Sequence, residues 1–160
     1  MSYKYALKEM DEKSAKAVGI SLSISAKHAE QVCNAIRGKR VDDANALLER
    51  VIAKKEAIPF RRHLRDLAHR KAVGPGRYPV NTCKEILKLV QSATANAQFK
   101  GLSVADLRIK HVCAHIASRP YHQSRHLGRK MKRSHVEVVL EEKVEKEKPT
   151  KVKPAAEVKK

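Results

Sequence analysis

The chain has no tryptophan, two phenylalanines and four tyrosines, so aromatics make up only 4% of its 160 residues. So sparse a set cannot supply the row of platforms on which single-strand binders stack successive bases. Long hydrophobic runs are missing too. None approaches the ~20 apolar residues that span a bilayer, and the opening MSYKYALKEMDEK has no signal-peptide core, so no membrane partner is expected. Cysteine is scarce: Cys33, Cys83 and Cys113 show no paired spacing, which fits a reducing cytosol rather than a disulfide framework. Each lies in an apolar pattern and reads as a small buried hydrophobe. No G-x-S-x-G, P-loop or dinucleotide glycine pattern is present, and the carboxylates lie mainly on expected helix surfaces or near the C-terminus. The expectation is a protein that is not an enzyme.

Negative charge is the other shortage. Thirty-five Lys and Arg face 17 Asp and Glu, a formal net charge of +18. Self-repulsion on that scale weakens a compact state, and a polyanionic partner relieves it. The two signs are also segregated. Residues 1–140 carry 28 Lys and Arg against 12 acids, and between Asp106 and Glu137 there is no acid at all beside eight Lys/Arg and five His. A merely solvated basic surface would intersperse the signs. Segregation points to nucleic acid.

Hydrophobic periodicity organises the rest. YKYAL at 3–7 alternates weakly and reads as an edge strand. Ser25 caps an expected helix in AKHAEQVCNAIR that ends at Gly38; Asp42 or Asp43 caps a second, with Ala44, Leu47, Leu48 and Val51 on one face. A third follows Pro79, capped by Asn81 or Thr82. Its stripe is Cys83, Ile86, Leu87, Val90 and Ala97, its stop is Gly101, and Ala93, Ala95 and Ala97 permit close packing on a neighbour. Between helices two and three, Pro59 and GPG point to a basic surface loop, with at most one helical turn at 62–68. From Leu107 the period becomes two: LRIKHVCAH and SHVEVVL read as the arms of a long hairpin. With about 15 residues per arm at ~3.3 Å each, its tip lies ~50 Å from its root, either disordered or packed on a partner. The last residues, rich in Lys, Glu, Pro and Ala, bury too little surface to order themselves.

The expectation is therefore an α+β fold: three helices packed on a small antiparallel sheet, with a long protruding β-hairpin and a disordered C-terminal tail. Residues 1–142 form the domain, the hairpin occupies about 106–140, and 143–160 form the tail.

Two basic windows are the candidate contact surface. The first, 61–77, holds Arg61, Arg62, Arg65, Arg70, Lys71 and Arg77, with His63, His69 and the adjoining Tyr78. The second, 119–133, holds Arg119, Arg125, Arg129, Lys130, Lys132 and Arg133, with Tyr121, His122 and His126. Arginine dominates both, as suits planar engagement of phosphates or stacking on bases. Neither window offers a helix to a DNA major groove. Irregular arginine-rich loops suit folded RNA, recognised by shape, phosphates and splayed bases. His111, Cys113 and His115 share one side of a strand at ~7 Å steps, too far apart for ligands that converge at ~2.0–2.3 Å on zinc. No metal or other cofactor is expected; Cys113 reads as packing, and the histidines as phosphate or base contacts.

The same residues resemble a known family, the large-subunit ribosomal protein L twenty-two in its archaeal and eukaryotic branch. The resemblance covers about residues 20–142. It rests on SISAKHAEQVCNAIRGKRVDDANALLERVIAKKEAIPFRRH, on GPGRYPVNTCKEILKLVQSATANAQFKGL and on the hairpin ending in SHVEVVLEE. PFRRH, GPGRYP and ANAQFKGL are specific as a set, and the first two look archaeal. Arg125-His126-Leu127-Gly128-Arg129 matches the family's Arg, two variable residues, Gly, Arg, which adds Gly128 to the contact set. The resemblance implies a cytoplasmic structural component of the large ribosomal subunit that binds its rRNA, supports assembly and neighbours other subunit proteins. It also implies a hairpin threaded through RNA to line the nascent-peptide exit tunnel, with Arg119, Tyr121 and His122 facing the tunnel and a transient nascent polypeptide. The return arm KMKRSH is a few residues shorter than the family pattern. From the residues alone, a free-standing RNA- or DNA-binding protein of chromatin type stays open, and co-sedimentation with large subunits distinguishes the two.

Overall fold

The last strand among the described residues sits at the centre of the main sheet. In the computed structural model, which describes residues 3–8, 11, 13–62, 64 and 66–142, β1 (Ser14–Leu22) and β5 (Leu107–Ile116) flank β6 (Ser134–Glu142), both antiparallel to it. The expected tail over 143–160, together with His63 and Arg65, lies outside the described residues.

Three helices cover one face. Helix α1 (Ala26–Ile36) and α3 (Val80–Phe99) pack on the sheet, and α2 (Val41–Ile52) packs on α3. Val32, Cys33 and Ile36 from α1, Leu48 and Val51 from α2, and Cys83, Ile86 and Val90 from α3 meet Val136, Val138 and Leu140 of β6 in one core. The expected stripes account for these contacts. The caps differ: Asp42 and Asp43 lie in the first turn of α2 after Arg40, and Pro79, not Asn81 or Thr82, precedes α3. Carboxylates in a first turn still favour the positive end of the helix dipole. Gly101, at φ +75°, ends α3 as expected, in a conformation that side chains resist.

Strand β1 runs through SAKAVGISL, where no strand is expected, while YKYAL forms none. The reason is size. Its core-facing positions are Ala15, Ala17 and Gly19, weak β-formers that carry little hydrophobic signal. Small side chains let α3 lie close, and its Ala93 and Ala97 are fully buried, whereas Ala95 is exposed. Residues 3–8 instead cross the far face of the sheet, where the Ala6 N–H donates to Glu137.

The second correction is the 57–79 segment. It contains a small sheet of its own, β2 (Ile58–Pro59), β3 (His69–Arg70) and β4 (Gly74–Arg77), in the order β2-β4-β3. The described residues of 62–68 contain no helical turn. Gly and Pro in β4 hid the strand from a propensity reading, yet Gly76 suits the close pairing: a Cβ there would lie 3.1 Å from the Ile58 carbonyl oxygen, so the neighbouring strand would have to give way. This sheet docks on α1 through buried Ile58 and Phe60, the Phe60 ring lying edge-on to His28 at 5.5 Å.

In the hairpin, a one-residue bulge at Lys110 changes the phase of β5. Leu107 and Ile109 face the helices before it, Val112 and Ala114 after it; His111, Cys113 and His115 therefore share the far face with Glu137 and Val139. Since β1 accompanies β6 as far as the Leu22–Ser134 pair, only 117–133 run beyond the sheet. That is about eight residues per arm, or ~25 Å, half the expected free length. This end is organised by its own backbone: Ala117 donates to Arg133, Met131 to Pro120 and His122 to Arg129, around a 3₁₀ turn at Ser124–His126.

Candidate nucleic-acid interface

The two windows, 40 or more positions apart in sequence, meet. A cleft of about 630 Å³ opens between the start of α1, the end of β4 and the outer hairpin arms, lined by Lys27, His28, Arg77, Arg119, Lys132 and Arg133. Glu30 is its one acid. Ser25 holds the N-cap position of α1 but makes no side-chain cap bond, so the helix presents first-turn N–H groups at the cleft edge. Burial pushes His28 below its ordinary pKa, and the Arg77 and Lys132 charges add to the effect. The cleft thus gathers five cations and a helix N-terminus, and it penalises a further proton. Such a site favours an anion.

Around it, Arg61, Arg70, Lys71 and Arg77 from the first window are exposed, as are Arg119, Arg125, Gly128, Arg129, Lys130 and Lys132 from the second. Tyr78 and Arg133 are half-buried. Arg70 lies over the Tyr78 ring at 5.3 Å and Lys130 over Tyr121 at 5.0 Å, so two cations are held in place by aromatic faces. Arg133 reaches the Ser21 carbonyl at 3.3 Å. Arg62 alone among the described candidate cations forms an ion pair with a carboxylate, Glu30 at 3.2 Å. The Arg61 N–H donates to the buried Gln31 Oε1 at 3.1 Å, which anchors the window's backbone and leaves its guanidinium exposed. His122 and Tyr121 are exposed near the hairpin end, and His63 and Arg65 are among the residues not described.

The β5 histidines do not join this surface. His111 Nε2 lies 3.0 Å and His115 Nε2 3.5 Å from Glu137 Oε1, and Cys113 is half-buried beside them, outside the core. The expected ~7 Å spacing holds along one strand, but the cross-strand carboxylate supplies a common meeting point. Glu137 was legible in principle: it is the only acid within the apolar run HVEVVL, and a carboxylate there is buried on a central strand.

A family model described as Ribosomal protein L22p/L17e matches residues 17–141. The chain is 42% identical over 148 residues to the large ribosomal subunit protein uL22 of Methanocaldococcus jannaschii, an alignment covering 87% of this chain and 94% of that protein. To the protein of the same name from Archaeoglobus fulgidus it is 47% identical over 114 residues, 69% of this chain and 74% of the other. To that of Methanococcus aeolicus it is 37% identical over 149 residues, covering 86% and 95%.

Proposed function

Because the chain belongs to the ribosomal protein L22p/L17e family, we propose that it is a non-enzymatic structural constituent of the cytoplasmic large ribosomal subunit that holds large-subunit rRNA through the cleft and the hairpin. The observation that carries this reading is the convergence of Arg77 with Arg119, Lys132 and Arg133 on one cleft beside the α1 N-terminus. A phosphate backbone laid there is met by fixed N–H donors and by cations that have no ion pair among the described residues to release. Arg61, Arg70 and Lys71, with His63 and Arg65, extend the contact along the body; Arg125, Gly128, Arg129 and Lys130 extend it along the hairpin. Gly128 has nothing within 4 Å of the position a Cβ would take, so its place in the contact is to let RNA approach the backbone.

The hairpin end, with Arg119, Tyr121 and His122, lines the nascent-peptide exit tunnel and touches the passing polypeptide in this reading. Support for it comes from its exposure and its lack of acids. Neighbouring subunit proteins cover apolar groups that this chain leaves open, Phe99 at 94% exposure first among them. The test is binding of the full chain to large-subunit rRNA across a salt series. Neutralising six or more phosphates gives a slope of log K against log salt steeper than about −4, at ~0.7–0.9 per phosphate; a slope near −1 would sink the reading.

A further inference from the structure

We propose that His111, Cys113 and Glu137, with His115 as fourth donor, form a binding site for a zinc-class divalent cation on the sheet face opposite the helices. The imidazole nitrogen, thiol sulfur and carboxylate oxygen of the first three all lie within 4.8 Å of one another. His115 Nε2 is 3.5 Å from the same Glu137 oxygen. Tetrahedral zinc with bonds of ~2.0–2.3 Å requires donors roughly 3.3–3.8 Å apart, so small side-chain rotations close the set of three, and the exposed His115 side chain, outside that set, swings in to complete it. The backbone already has the needed register: Cys113 and Glu137 are direct partners across the β5–β6 ladder, and His111 and His115 flank Cys113 at alternate positions.

The donor chemistry selects the ion. One sulfur, two imidazoles and one carboxylate suit a borderline-soft dication and are wrong for magnesium or calcium, which take oxygen. Charge balance agrees. On binding, Cys113 releases its thiol proton to solvent, and the thiolate and carboxylate together cancel the dication, with both histidines neutral. A neutral assembly is what a buried position tolerates, and Glu137 is fully buried. The far face also has a cover and an entrance. Residues 3–8 lie over it through the Ala6 N–H bonds to Glu137, at 3.3 and 3.2 Å, while the His115 side chain stays 42% exposed. The ion would staple β5 to β6 beneath the N-terminal segment, independently of the RNA surface.

The full-length chain, reduced and stripped by a chelator, is titrated with Zn²⁺ and in parallel with Co²⁺. The expected result is one ion per chain, with a thiolate-to-cobalt charge-transfer band and the visible bands of a tetrahedral cobalt site. Cys113→Ser removes the charge-transfer band. His115→Gln, at the most exposed of the four positions, keeps the fold by circular dichroism and raises the Kd for zinc by ~10-fold or more. No uptake by the native chain, or a charge-transfer band that survives Cys113→Ser, overturns the site and leaves a metal-free Glu–His network. If Cys113→Ser does not fold, His115→Gln decides: an unchanged Kd overturns the proposal.

Discussion

Ala6 and Glu137 are 131 positions apart, yet the Ala6 N–H donates to the Glu137 carboxylate at 3.2–3.3 Å from either oxygen. Burial alone would raise this carboxyl, but His111, the Ala6 N–H and His115 outweigh it and hold its pKa below the usual carboxylate value. Replacing Glu137 by Ala leaves His111 and the amide without their acceptor. The metal-free protein should lose ~1–3 kcal/mol in urea unfolding, and hydrogen exchange at Ala6 should accelerate. Glu137→Gln, which keeps an acceptor, should lose less.

The three thiols should separate by reactivity. Cys33 and Cys83 sit in the core, and burial pushes both up to about 12, whereas Cys113 is half-buried on the far face. Since the thiolate is the nucleophile, a disulfide reagent near pH 8 should titrate one thiol in the native metal-free chain and three after denaturation. Fast reaction of Cys33 or Cys83 without unfolding would contradict their place in the core.

His28 should report occupancy of the cleft. Its folded pKa lies below 6.5, through burial and the Arg77 and Lys132 charges. The unfolded chain therefore binds this proton more readily, so the stabilising contribution is complete above the unfolded value and lost as pH falls through it. A phosphate beside Arg77 and Lys132 reverses the field. NMR titration should show the His28 pKa rising when rRNA binds; no change would place the RNA elsewhere.

Pairing should set which arginines matter. Arg77→Ala with Lys132→Ala removes two cleft cations that form no ion pair among the described residues, and the salt slope should flatten by ~0.7–0.9 for each phosphate no longer neutralised. Arg62→Ala should cost less affinity, since Arg62 must exchange Glu30 for phosphate. Filter binding at three salt concentrations measures both. Equal losses would remove the cleft's special place.

Where hydrophobic side chains carry the period, sequence and structure agree: the three helical stripes and the two hairpin arms each rest on Val, Leu and Ile at regular spacing. Where the fold uses small residues or an interrupted period, the pattern is silent. Ala15, Ala17 and Gly19 make a strand by fitting under α3, and the Lys110 bulge breaks the alternation after Ile109. The basic windows were legible as composition, because their arginines are segregated from acids. Their convergence was not. It depends on the small sheet docking on α1 through β2, which carries β4 with it, and the Gly and Pro residues of that sheet disguise it. Glu137 and its histidines escaped for a similar reason, since their meeting is cross-strand and a periodicity reading sees one strand at a time.

The central position of β6 has a consequence for how the chain acquires its shape. As a nascent polypeptide emerges, β1, α1, α2 and α3 all precede the strand that joins β1 to β5. Loop-closure entropy across more than a hundred residues must be met before the Ser14–Glu141 pair can form. Until then the apolar undersides of α1 and α3 have no sheet to rest on. Productive collapse is thus a late, nearly single event in biosynthesis, and a newly made chain stalled before Ser134 is the form most exposed to aggregation.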